Sequence, residues 1–144
     1  MNPFVVTKKA DGLEIDMQAS LALVDRAVDE VTAFCRQRGI SNALFAIIIT
    51  MREGLTNAVR HGSSLSPDAQ VRFSIFLADD TVHMEFEDKG PGFDWQTMID
   101  SQAASDSEGG RGIEIMRKYC HNMAYSKRGC HLHLTIRVAA EKSD

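Results

Sequence analysis

Between Ser41 and His61 the sequence is apolar on more than one side of a helical projection, through Leu44, Phe45, Ile47, Ile48, Ile49, Met51, Leu55 and Val59. A surface helix shows one apolar stripe, so a helix apolar around most of its circumference belongs in the middle of a fold. One polar line interrupts it. Glu53, Asn57 and His61 recur at i, i+4 and i+8 and share a face. Glu and Asn are costly to bury without partners, so the line is either a solvated stripe or a face that meets something polar. Ser41 is a candidate N-cap, and Gly62 with the stretch from Ser63 to Pro67 is the expected stop.

The flanking sequence supplies elements to cover such a helix. Phe4-Val5-Val6 and the alternating run Leu13 to Met17 predict strands around a turn at Asp11-Gly12. Leu21, Val24, Ala27, Val28, Val31 and Phe34 recur at three- and four-residue steps, which predicts a helix from Ser20, as cap, to Arg38, ended by Gly39. The period then shortens to two. Val71, Phe73, Ile75 and Leu77 alternate with Arg72, Ser74 and Phe76, a turn follows at Asp79-Asp80, and Val82, Met84 and Phe86 alternate with His83, Glu85 and Glu87. From Asp88 to Gly112 the chain is polar and glycine-containing, with a short helical turn expected around Trp95 to Asp100. A third helix over Arg111 to Cys120 precedes strands at Met123 to Ser126 and Leu132 to Val138, joined at Arg128-Gly129.

Grouped strands without βαβ alternation predict an α+β fold, a two-layer sandwich of a mixed, mostly antiparallel sheet with helices on one face. The length of 144 residues fits a single domain spanning 1–144, with an N-terminal strand segment of about 1–19 before a core of about 20–138.

Composition narrows the function. Hydrophobic residues make up 44% and charged residues 25%, as in an ordinary globular protein. A net charge of −4 argues against a nucleic-acid or anionic-membrane surface, both of which select a positive excess. The longest apolar run, Ala43 to Met51, falls well short of the roughly 20 residues that cross a bilayer. The N-terminus has no apolar segment behind a basic start, so no signal peptide is expected. Cys35, Cys120 and Cys130 are odd in number and read as reduced thiols, which with the rest predicts a soluble cytoplasmic protein.

Two glycine segments extend the polar line of the central helix. Asp88-Lys89-Gly90-Pro91-Gly92 follows a strand; an Asp there can accept a hydrogen bond from an exocyclic amine, and glycines let backbone approach a flat ring. Taken alone it is also an ordinary turn. Gly109-Gly110-Arg111-Gly112 opens the third helix, where free backbone N–H groups and the positive helix end suit phosphate, or where glycines form a hinge.

In this order and spacing, the three segments resemble the GHKL ATPase superfamily. Glu53-Gly54-Leu55-Thr56-Asn57-Ala58-Val59-Arg60-His61-Gly62 is similar to its N box, Asp88 to Gly92 to its first glycine box, and Gly109 to Gly112 to its second. The likeness runs from about Leu13 to Val138. The wording E-x-x-T-N-A-x-x-H-G, the short stretch 93–108 and the G-G-R-G-I helix start resemble most the bacterial anti-sigma-factor serine/threonine kinases. Gyrase-like members carry longer lids, and histidine kinases a dimerisation helix pair for which this sequence leaves no room.

The resemblance implies a Bergerat-type fold and the cofactors ATP and Mg²⁺. It implies that Asn57 ligates the metal, that Asp88 binds the adenine amine beside Gly90 and Gly92, and that Gly109, Gly110 and Gly112 hold phosphate. It gives Glu53 the role of general base and lets Arg111 add charge at the γ-phosphate. The implied partners are an antagonist protein with a phosphorylatable serine or threonine, a sigma factor or other regulator, and a second copy in a homodimer. The lid from Phe93 to Glu108 is poor in cations, which leaves phosphate grip to Lys89 or Arg111.

Alternatives remain open at this level. A nucleotide-gated protein-binding regulator without kinase activity would share the pocket, as would a catalytic domain split from a histidine kinase. Cys120, His121, Cys130, His131 and His133 offer soft donors for zinc, though no C-x₂-C pair exists and the adjacent first pair converges poorly on one metal. Trp95 is a candidate nucleotide cover or a packing residue at the sheet edge.

Overall fold

The computed structural model describes residues 2–65, 68–88, 110–125 and 131–138. Strands β1 (Phe4–Lys9) and β2 (Gly12–Gln18) form an antiparallel hairpin; α1 (Leu21–Gln37), a 3₁₀ turn (Ser41–Ala43) and α2 (Leu44–Leu65) follow. Next come β3 (Gln70–Ala78), β4 (Thr81–Asp88), α3 (Gly110–Tyr119), β5 (Asn122–Tyr125) and β6 (His131–Arg137). The six strands form one sheet in the order β1-β2-β3-β4-β6-β5. Every pairing among the described residues is antiparallel, in keeping with the mostly antiparallel sheet expected. The α+β class and the helices packed on the sheet stand.

Period-two alternation places the core. Leu13, Ile15 and Met17 of β2, Val71, Phe73 and Ile75 of β3, Val82, Met84 and Phe86 of β4, and Leu132, Leu134 and Ile136 of β6 are all buried. α2 lies across this face, packing on β3, β4 and β6 with α1 and α3 on its flanks, as its broad apolar surface requires. Ile47, Met51, Leu55, Ala58 and Val59 turn inward. Buried Thr50 satisfies its hydroxyl within the helix, donating to the carbonyls of Ala46 (2.7 Å) and Ile47 (3.2 Å).

The bounds of α1 fall as expected, whereas both ends of α2 differ. Ser20 takes the N-cap position of α1 with extended backbone (φ −136°, ψ 129°) but makes no side-chain cap bond. Ser41 opens the 3₁₀ turn instead of capping α2, which starts at Leu44. α2 also runs through Gly62 to Leu65. A glycine inside a helix costs only about 1 kcal/mol, too little for Gly62 to stop it. Gly39 ends α1 as expected, in the left-handed region at φ 68°.

The β2–β3 pairing depends on a close backbone approach at Gly12. A Cβ on Gly12 would run into the Ile75 carbonyl oxygen and lie 2.8 Å from Phe76 Cβ, both in the neighbouring strand. Gly12→Ala is therefore expected to destabilise the fold by about 1–3 kcal/mol, as overpacking does. Thermal unfolding should show a melting temperature lower by roughly 3–10 °C.

No helix among the described residues is long and apolar enough to cross a membrane.

Candidate functional site

Connectivity brings the C-terminal half of α2 and the end of β4 to one end of the sheet. α2 ends at Leu65 and β3 begins five residues later at Gln70, so the C-terminal half of α2 lies over the start of β3. Asp88, the last residue of β4, pairs with Val71 at that same end. α3 approaches from the other side. The ring of Tyr119 packs edge-on against that of Phe45 at 5.6 Å, and the Cys120 thiol interacts with Thr50. These contacts pin the end of α3 to the first half of α2. α3, which opens at Gly110, Arg111 and Gly112, packs on α2. Gly90, Gly92 and Gly109 lie outside the described residues, as do Lys89, Trp95 with its expected helical turn, and the segment 93–108.

Glu53 and Asn57 flank the buried stripe of α2, and each is itself half-buried. Asn57 is the exceptional side chain. Its Nδ2 is buried without a hydrogen-bond partner, the one such side-chain nitrogen or oxygen among the described residues. Buried amides are nearly always satisfied, so an orphan signals something missing from the protein alone. A half-turn of the carboxamide exchanges oxygen and nitrogen, so this position can present an acceptor or a donor to a bound group. His61 falls on the next turn of α2.

Between Glu53 and Asn57, Gly54 meets the sheet. A Cβ there would stand 2.7 Å from Phe86 Cε2 and Cζ. Sequence reading gave this glycine no role, because the close approach belongs to the packing of α2 on β4 and leaves no local pattern.

Among the described residues, the cysteine–histidine cluster does not gather into a metal site. Burial pushes the Cys120 thiol up to about 11, which leaves it protonated and a poor ligand at neutral pH. His121 Nδ1 accepts the backbone N–H of Arg137 at 2.9 Å, and Cys130 lies outside the described residues. No group of three His, Cys, Asp or Glu among the described residues has the geometry of a metal site.

His131 and His133 do share a strand face, on the side of the sheet away from the helices, and find partners on β4. His131 Nε2 lies 2.7 Å from Glu85 Oε1, and His133 Nε2 lies 2.9 Å from His83 Nδ1, with Phe76 stacked on His83 at 4.6 Å. Burial lowers the pKa of His133 from its ordinary 6.5; Glu85 opposes the shift, while His83 and His131 reinforce it. The folded chain then holds this proton less tightly than the unfolded chain. The associated stability is complete above the ordinary value and is lost as pH falls through it towards the depressed folded value. His133→Gln, which keeps an amide near the Nε2 position, should show a smaller drop in melting temperature between about pH 7.5 and about pH 5 than the unmodified chain. Equal drops would contradict this origin.

The antiparallel sheet with helices on one face is an α+β fold consistent with a nucleotide-binding module. Residues 17–136 match the family model described as the histidine kinase-like ATPase domain, and the chain belongs to that family. It is a kinase-like, ATP-binding domain. Among characterised proteins it is similar to the serine/threonine-protein kinase BtrW of Bordetella bronchiseptica, at 24% identity over 135 residues, covering 91% of this chain and 94% of that protein.

Proposed function

We propose that the chain is a protein serine/threonine kinase of the anti-sigma-factor type, which phosphorylates a small antagonist protein and sequesters a sigma factor or similar regulator by partner switching. The observation that carries the nucleotide site is the orphaned Asn57 amide, one helical turn from Glu53 on the helix that packs on β4. The kinase named among its relatives supports the choice of reaction.

The residues present suit Mg-ATP. The Asn57 amide oxygen is a hard neutral donor of the kind Mg²⁺ takes alongside phosphate oxygens. Asp88 would accept the adenine amine, with Gly90 and Gly92 forming that wall. Gly109, Gly110 and Gly112 would present backbone N–H groups to the phosphates at the start of α3, where the helix dipole favours negative charge. Arg111 would add a cation near the γ-phosphate. When bound, Mg-ATP supplies the phosphoryl group and neutralises the charge developing on it. Glu53 orients the serine or threonine hydroxyl and takes its proton as the hydroxyl oxygen bonds to the γ-phosphorus and the bond to ADP breaks.

Incubation with γ-labelled ATP and the antagonist encoded beside its gene tests the reading. Acid-stable label on a serine or threonine of the antagonist is expected. Tight ATP binding without transfer would instead define a nucleotide-gated regulator, and acid-labile label on histidine would remove the serine/threonine assignment.

A further inference from the structure

We infer that the contact between Gly54 and Phe86 is a positioning contact for the nucleotide, setting the separation between the adenine half of the pocket on β4 and the metal and base half on α2. This deepens the Mg-ATP reading above and rests on it.

Gly54 is helical, and glycine is among the poorest helix formers, so its place inside α2 calls for a packing reason. The reason is visible. The position a Cβ would take is 2.7 Å from Cε2 and Cζ of Phe86 and 3.1 Å from Cδ2. The ring cannot readily withdraw. Phe86 is fully buried, stands opposite Phe73 in β3 and Leu132 in β6, and packs on the Phe73 ring at 5.2 Å with a 55° tilt. Those two neighbours are fully buried as well. A methyl group at position 54 would therefore push α2 away from β4. Contact becomes ordinary only from 3.4 Å, so the retreat is about 0.7 Å.

Both halves of the pocket lie close to this contact along the chain. Asn57 is three residues on, about 4.5 Å along the helix axis, and Glu53 is the adjacent residue. Asp88 is two residues beyond Phe86, about 6.6 Å along the strand. Since α2 and β4 deliver these residues to the same end of the sheet, a change in the gap at Gly54 passes to the pocket with little damping. A ligand spanning both halves must register it. A ligand confined to the adenine half need not.

The test compares dissociation constants for Mg-ATP and for adenosine, both by NMR chemical-shift titration, in the unmodified chain, Gly54→Ala, Phe86→Leu and the double variant. Gly54→Ala is expected to weaken Mg-ATP at least about tenfold, since displacements near 1 Å can cost far more, while adenosine stays within about twofold. Phe86→Leu removes the ring end, leaves α2 without its spacer and should also weaken Mg-ATP selectively. Adding Gly54→Ala to it fills the vacated space and should restore Mg-ATP binding to within about threefold of the unmodified chain.

Equal losses of both ligands in Gly54→Ala, unchanged Mg-ATP affinity, or a double variant no better than Phe86→Leu would each overturn the inference. If Gly54→Ala fails to fold, Phe86→Leu and the double variant decide alone. If the unmodified chain bound no Mg-ATP, the nucleotide reading itself would fall, and this inference with it. Binding by the unmodified chain with full affinity in Gly54→Ala would remove only the positioning role.

Discussion

Glu53→Gln is expected to leave Mg-ATP binding within a few-fold of the unmodified chain while slowing phosphoryl transfer by about 10²–10⁴, the usual contribution of a positioned general base. Glutamine keeps the length, the helix propensity and one acceptor oxygen, so α2 and its packing should be preserved. It cannot accept the hydroxyl proton. Single-turnover transfer of labelled phosphate to the antagonist, measured beside nucleotide affinity on the same preparation, separates the two effects. Transfer at the normal rate would show that another group takes the proton. Loss of both binding and transfer would place Glu53 in nucleotide binding instead.

Asn57→Ala should act in the opposite sense on binding and on stability. Its amide end is buried and unpaired in the protein alone, so the native state already bears the desolvation of that group without compensation. Alanine removes the orphan and is the better helix former. The ligand-free melting temperature should therefore be unchanged or higher, unusual for truncation of a half-buried residue. Binding should suffer heavily. Loss of outer-shell partners of a metal alone costs about 10- to 100-fold, and loss of a direct ligand should cost at least about 100-fold in Mg-ATP affinity. A rise in melting temperature on adding Mg-ATP, large for the unmodified chain, should vanish in the variant. A ligand-free melting temperature several degrees lower would mean that Asn57 serves the fold and not the ligand.

These expectations show how far the sequence could be read. The period-two runs placed β3 and β4 almost to the residue, since one buried face demands strict alternation. The breadth of the apolar surface on α2 correctly put that helix at the centre. That Glu53 and Asn57 lie one helical turn apart on α2 was legible from their spacing alone. Strand order was not. Only the adjacency of β4 and β6 brings His83 and Glu85 to His133 and His131, and neither β4 residue carries a local sign of that neighbour. The same blindness to packing hid Gly54, whose meaning depends on a ring 32 residues further along the chain. The ends of α2 and the capping bonds are less legible, because local rules compete there. Ser20 and Ser41 are good cap residues by type, yet one makes no cap bond and the other is taken up by a 3₁₀ turn.

The nucleotide site turns on whether Asn57 acts through the metal. The direct measurement is a four-way calorimetric titration of ATP into the unmodified chain and into Asn57→Ala, each with Mg²⁺ and with EDTA. Mg²⁺ should raise ATP affinity strongly in the unmodified chain and scarcely at all in Asn57→Ala, so that metal and side chain are coupled. The same Mg²⁺ dependence in both chains would contradict the assignment and place the metal elsewhere.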